Sequence, residues 1–253
     1  MDRRFPFTFA VNQNEGGRMP RITELLRKRV ARHGWWNTLQ WAALRLAAAV
    51  FGLRVLRGLA VETMDPACRA PAEGYAHGFA MPRAVRRFAA DTANEMSPFF
   101  VADAMARGDR CYAICDGLTP LSTSWYSTRP TRIGMGDLVL YFAPRYVYMY
   151  KGFTHPSHRG RRLYTAGVSH AFGHYAAKGA RGFISYVEGT NLQSLKSLER
   201  MGFRVFGSIY VVSLFGRHFT FATPGCAAFQ FSLENRPTRR NRPQRLYPSA
   251  ATA

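Results

Sequence analysis

The chain changes its residue pattern near position 110, and that change limits the fold more than any other feature. Four segments rich in β-branched and aromatic residues follow one another: Arg110 to Cys115, Leu118 to Ser127, Leu138 to Phe142 and Tyr146 to Phe153. Asp116-Gly117, Arg129-Pro130 and Ala143-Pro144 separate them, a spacing that predicts a meander of antiparallel strands. The period then alternates. A helix is expected from Leu163 to Lys178, closed by Gly179, then a strand from Gly182 to Val187 and a helix from Asn191 to Met201. Two further strands, Arg204 to Leu214 and His218 to Ala222, flank Phe215-Gly216. Strands first and helix–strand alternation afterwards imply a mixed α/β (α+β) fold with one central sheet.

Upstream, Ser97-Pro98 offers a cap followed by proline at the first helical position, and Gly108 would end that helix. Arg83 to Thr92 is expected to be a short basic helix and Leu59 to Met64 a first strand. A helix from about Arg21 to Arg32 ends at His33-Gly34, whereas residues 1–19 lack a periodic apolar face. The stretch from Trp35 to Leu59 leaves three readings open. It is apolar enough for a core helix, its tryptophans beside arginines suit an interfacial membrane helix, and its length approaches that of a spanning helix. Residues 1–58 are therefore expected to be a basic, partly helical extension and 59–234 a domain with a motif-bearing core at 110–223. Residues 235–253 are expected to be a disordered basic tail.

Thirty-five Lys and Arg against 15 Asp and Glu give a formal charge of +20, which speaks for an anionic partner. Cys68, Cys111, Cys115 and Cys226 have no zinc-ribbon or paired spacing, so no metal is expected. The opening residues lack a signal-peptide core, and the expected location is cytoplasmic, with a peripheral place on the inner face of a membrane as its variant.

Two passages carry chemistry. The strand from Tyr146 runs into His155-Pro-Ser-His-Arg-Gly-Arg-Arg-Leu-Tyr164, a basic, glycine-containing turn that opens a helix. The first amides of a helix have no intrahelical acceptor, and with the helix dipole they suit a diphosphate. About 30 residues later, Tyr186-Val-Glu-Gly-Thr-Asn191 ends a strand and starts the helix that Gly202-Phe203 closes.

In this order the passages resemble the GNAT acetyltransferase family through Pro156, Arg159, Gly160, Asn191, Ser194, Gly202 and Phe203. The resemblance implies a GNAT-like central mixed, mostly antiparallel sheet flanked by helices. It implies acetyl-CoA, or another acyl-CoA, held in a V-shaped opening between the strands ending near Phe153 and Val187. Amides of Arg159, Gly160, Arg161, Arg162, Leu163 and Tyr164 would take the pyrophosphate, and backbone from Gly152 through Phe153 to Thr154 the pantetheine arm. Asn191 and Ser194 would lie on the cofactor.

Three positions depart from the family pattern. Arg162 stands where a glycine is usual, Tyr164 where a small residue is usual, and Leu198 where many members carry a tyrosine acid. Glu188 is the first candidate for the base that relieves an attacking ammonium of its proton, beside the reading of a solvated loop carboxylate. His155 and His158 read as turn residues or phosphate contacts, and Asp116 and Tyr126 as turn and core. His170 and His174 share a helix face, without a third ligand for a metal.

The expected activity is direct N-acyl transfer to an amine, on a small-molecule, glycan or lipid-linked acceptor, near an anionic membrane surface or with an acidic carrier protein. The alternatives are a non-catalytic GNAT-like binding module and a basic nucleic-acid-binding protein. No helix-turn-helix, zinc-finger or RNP pattern supports specific nucleic-acid binding.

Overall fold

The computed structural model describes residues 27–28, 30–32, 34–65, 68, 74–135 and 137–235. Residues 27–28 and 30–32 are helical, within the helix expected from Arg21. The rest of that helix and the tail beyond 235 lie outside the described residues.

The ambiguous stretch divides into a 17-residue helix α1 (Trp35–Phe51) and a strand β1 (Arg54–Val61), joined through Gly52. Gly52 has φ +59, and a Cβ there would meet the Ser213 carbonyl oxygen at 2.7 Å. Among the described residues no helix is long and apolar enough to cross a membrane. The first strand thus begins at Arg54, earlier than expected. Of the arginines that interrupt the apolar run, Arg45 lies in α1, whereas Arg54 and Arg57 belong to the strand, whose Leu56 and Leu59 are fully buried.

The following elements are β2 (Ala76–Phe79), α2 (Pro82–Ala90), α3 (Pro98–Arg107), β3 (Arg110–Asp116) and β4 (Thr119–Ser127). After them come β5 (Thr131–Arg132), β6 (Leu138–Tyr141) and β7 (Tyr146–Thr154). The chain continues through α4 (Leu163–Ala176), β8 (Gly182–Glu188), α5 (Leu192–Arg200), β9 (Arg204–Leu214), β10 (Arg217–Ala222) and β11 (Ser232–Asn235). Local chemistry sets several ends. Ser97 Oγ accepts from Phe100 N and Gly108 closes α3 at φ 85, as a serine cap and a glycine stop should.

Among the described residues the strands form two sheets. The larger has the order β10-β9-β1-β8-β7-β4-β3-β2, antiparallel throughout except for the parallel pair β7–β8. The smaller has the order β11-β6-β5. The molecule is a mixed α/β fold with a large, mostly antiparallel sheet flanked by helices, as the sequence implies.

The meander needs one correction. β6 leaves the main sheet, so β4 pairs directly with β7. Its Leu138 and Leu140 are fully buried in a cluster with Leu56, Tyr148, Ile184 and Ile209, which makes β6 part of a second layer over the main sheet. The opposite face is covered by α4 and α5 through Val168, Phe172 and Leu198 against Leu59, Met149 and Phe183. The hairpin of α2 and α3 packs around Trp125.

Candidate active site

β7 and β8 are in register only over Tyr146–Gly182, Val147–Phe183 and Tyr148–Ile184. Beyond that point the strands part. Ser185 Oγ donates to the Met149 carbonyl at 2.8 Å, so a side chain takes over where the ladder stops. On its other edge β7 stays paired with β4, through Trp125–Tyr150 and then Thr123–Phe153. Between these pairs Ser124 of β4 alone faces Lys151 and Gly152 of β7, a bulge that holds Lys151 in the left-handed region at φ 50. Beside this bulge β7 and β8 no longer pair, which leaves the ladder open where the resemblance implies a V-shaped opening between these strands.

At its mouth, Pro156–His158 form a 3₁₀ turn, Arg159 is extended, Gly160 has φ 84 and Arg162 has φ 57. Arg162 is the N-cap of α4, and its side chain makes no cap hydrogen bond. The turn needs a left-handed residue here, and Arg162 adopts that conformation at a cost. The side chains of Arg159, Arg161 and Arg162 are exposed. Arg159 Nε donates to the Thr154 carbonyl at 3.2 Å, Arg161 reaches the Tyr75 hydroxyl at 3.3 Å, and Leu163 is buried.

Tyr164 turns back onto the bulge. A Cβ on Gly152 would meet its hydroxyl at 2.5 Å and Cε2 at 2.7 Å, so glycine at 152 is what lets the ring lie there. Burial raises the Tyr164 pKa, and its hydroxyl faces Met149 Sδ at 3.9 Å. Phe153 is buried, and its carbonyl accepts from Ser122 Oγ at 3.0 Å. Thr154 Oγ1 lies 3.2 Å from the same Ser122 hydroxyl. Asn191 is the cap of α5, its side-chain oxygen accepting from Ser194 N at 3.1 Å.

Glu188 stands at the open end of β8, where the Asn191 amide donates to its carbonyl at 2.8 Å. Its carboxylate is half-exposed and ion-paired with Arg54 at 3.3 Å. Leu198, in the position of the family's tyrosine, is buried among Val168, Phe183 and Met201.

Hydroxyl groups near the splay come from the sheet instead. Tyr148 stacks on Tyr150 at 5.1 Å and on Tyr186 at 6.2 Å. Burial, then the Glu188 charge, push Tyr186 up to about 12, so its hydroxyl keeps its proton at neutral pH. Lys151 lies over the Phe100 ring at 5.9 Å, and burial lowers its pKa. Neither residue stands out as a site residue in the sequence. The signal for Tyr186 was its place two residues before Glu188 on the same face of β8; for Lys151 there was none.

The remaining candidates are dispersed. His155 Nδ1 and His158 Nδ1 lie 2.7 and 2.8 Å from the Ser157 hydroxyl in the turn. His170 stacks on His77 at 4.5 Å, and His174 Nε2 lies 3.1 Å from Arg110 Nη1. Among the described residues no group of three His, Cys, Asp or Glu is arranged to hold a metal. Asp116 is an exposed strand end, and Tyr126 is fully buried on Ser124 Oγ at 2.8 Å.

No protein-family model and no curated protein matches the chain. Solved structures similar to it include a GNAT-family protein from Novosphingobium aromaticivorans assigned as an acetyltransferase, with 15% identity, 63% of each chain covered and a TM-score of 0.47. An acetyltransferase from the GNAT family of Colwellia psychrerythraea has 16% identity over 73% of this chain and 62% of its own, with a TM-score of 0.44. A transcriptional regulator from Bacillus halodurans has 13% identity over 51% of this chain and 93% of its own, with a TM-score of 0.37. The chain spans less than two thirds of the length of the first two. With TM-scores below 0.5 and names that differ, these likenesses leave the functional argument to the geometry of the splayed strands.

Proposed function

We propose that the protein is an acyltransferase of the GNAT type that binds an acyl-CoA, acetyl-CoA first among them, in the opening between β7 and β8. The observation that carries this reading is a conjunction. A parallel strand pair parts after three residue pairs, beside the side-chain-uncapped start of α4 and a turn with two left-handed residues.

The donor set fits the group. The first amides of α4 lie at the positive end of a helix dipole without a side-chain cap, and the three arginines that precede them are exposed, which suits a diphosphate. The β7 edge beyond Tyr148 has no ladder to β8, which suits the amide groups of a pantetheine arm. The bound acyl-CoA supplies an activated thioester carbonyl. The chain's residues hold donor and acceptor together, so that attack becomes effectively intramolecular. Backbone N–H groups of the bulge polarise the carbonyl oxygen. Glu188 accepts the proton of the attacking amine, and Tyr186, protonated and on the same strand face, donates to the leaving thiolate in place of the tyrosine that Leu198 replaces. The acceptor is an amine on a small molecule, glycan or lipid.

Burial of Leu198 and the seating of Tyr164 on Gly152 favour a second reading, a non-catalytic module that binds the nucleotide end of CoA.

Calorimetric titration of acetyl-CoA into the protein and into Gly160→Pro tests the site. Proline fixes φ near −65° and destroys the left-handed turn. Binding by the native protein that the variant loses supports the proposal, and absence of native binding overturns it. Binding without CoA release from any amine favours the second reading.

A further inference from the structure

The last two strands break the rule that governs the rest of the sheet. In β9, Ile209 and Val211 are buried inward, and alternation calls for polar residues between them on a face open to water. That face instead carries Tyr210, Val212 and Leu214, opposite Phe221, Phe219 and Arg217 of β10. Phe221 is 62% exposed and Phe219 48%, so no element of the fold covers them among the described residues.

Phe215, at the hairpin tip, is fully exposed. It has φ 48 and is followed by Gly216 at φ 74, a pair of left-handed residues where Asn-Gly is the favoured choice. A bulky side chain in that conformation is strained, and outside the core it gains nothing in return. Strain and exposure both oppose folding, which places their benefit in something the tip touches.

Charge selects the partner. No Asp or Glu occurs between Glu199 and Glu234, whereas Arg200, Arg204 and Arg217 do, and the whole chain carries +20. A second copy would bring the same charge to the contact and be repelled. At the same edge of the sheet α1 packs on β1 and β9, and Trp35 and Trp36 at the start of this helix are exposed.

We propose that the β9–β10 hairpin docks the protein on an anionic lipid surface. Phe215, Phe219 and Phe221 enter the boundary between headgroups and acyl chains, and Arg217 meets lipid phosphates. The hairpin is separated from the opening by β1, and the proposal stands whether or not the opening binds an acyl-CoA.

Flotation of the full chain with phosphatidylglycerol-containing vesicles, and with phosphatidylcholine vesicles, provides the test. The native protein should float with the anionic vesicles and far less with the neutral ones. Phe219→Ser/Phe221→Ser should lower partition by about tenfold or more, because exposed aromatic surface supplies the apolar contribution. Phe215→Asn should also bind less while unfolding at a higher temperature, since asparagine suits the turn; loss of binding then cannot come from misfolding. Equal flotation of native and variant proteins overturns the proposal. So does a native protein that ignores vesicles but binds a single-stranded RNA oligonucleotide, or forms a dimer, through the same phenylalanines.

Discussion

Arg162→Gly tests whether the turn before α4 is under the strain its backbone implies. An L-residue in the left-handed conformation costs about 1–2 kcal/mol, and Arg162 sits there at φ 57 and ψ 13. Glycine removes that cost but enlarges the unfolded ensemble, which takes back about 0.4–1 kcal/mol. The guanidinium is exposed and makes no cap hydrogen bond, so its loss costs the fold little. The net expectation is a gain of about 0.8 kcal/mol, or about 2–3 °C in Tm for a chain of this size. Thermal unfolding followed by circular dichroism measures it, with Arg162→Ala as the control that deletes the side chain and keeps the strain. A glycine variant no more stable than the alanine variant would refute the reasoning. The same variant informs on the ligand. If amides rather than this guanidinium hold the pyrophosphate, acetyl-CoA affinity should fall by no more than about fivefold, the scale of one exposed ionic contact.

Gly152→Ala should force the Tyr164 ring off the bulge and destabilise the protein by about 1–3 kcal/mol in chemical denaturation. Adding Tyr164→Leu should restore most of that loss, and failure of the rescue would mean that the ring is not what the new methyl meets. Glu62 accepts from the Tyr146 hydroxyl and from Arg181 Nε at 2.9 Å, and these donors, Tyr146 foremost, hold its carboxyl below the ordinary 4.5. A depressed carboxyl stabilises the folded state above its unfolded pKa and stops doing so as pH falls through the folded value. The stability difference between the native protein and Glu62→Gln should therefore be constant above about pH 5 and shrink toward pH 3. A difference that is unchanged at the acid end would rule out this ionisation as its source.

The motifs were legible because each is local. A serine before proline, a glycine after a helix, an asparagine at a helix start and a strand-to-turn glycine announce themselves within a few residues. Ser97, Gly108, Asn191 and Gly160 all stand where those rules put them. What escaped the sequence depends on partners far along the chain. β1 looks like the end of a helix because Arg54 and Arg57 interrupt an apolar run, and only pairing with both β8 and β9 makes it a strand. β6 has the alternation of its neighbours, and nothing within four residues says that it leaves the sheet to join β11, some ninety residues later. The site shows the same division. The glycine turn before α4 is a local object, but the wall behind it is not. The Tyr150 hydroxyl donates to Asp109 Oδ2 at 2.5 Å, and Arg107 Nε and Nη2 donate to the same oxygen at 3.0 and 2.8 Å. Asp109, read from sequence alone, is a polar residue after a helix-ending glycine; folded, it is a buried carboxylate that anchors the strand carrying the bulge. Fixing Tyr150 immediately before Lys151 and Gly152 fixes where β7 bends away from β8, so the opening depends on a buried charge network as much as on the motif that advertises it.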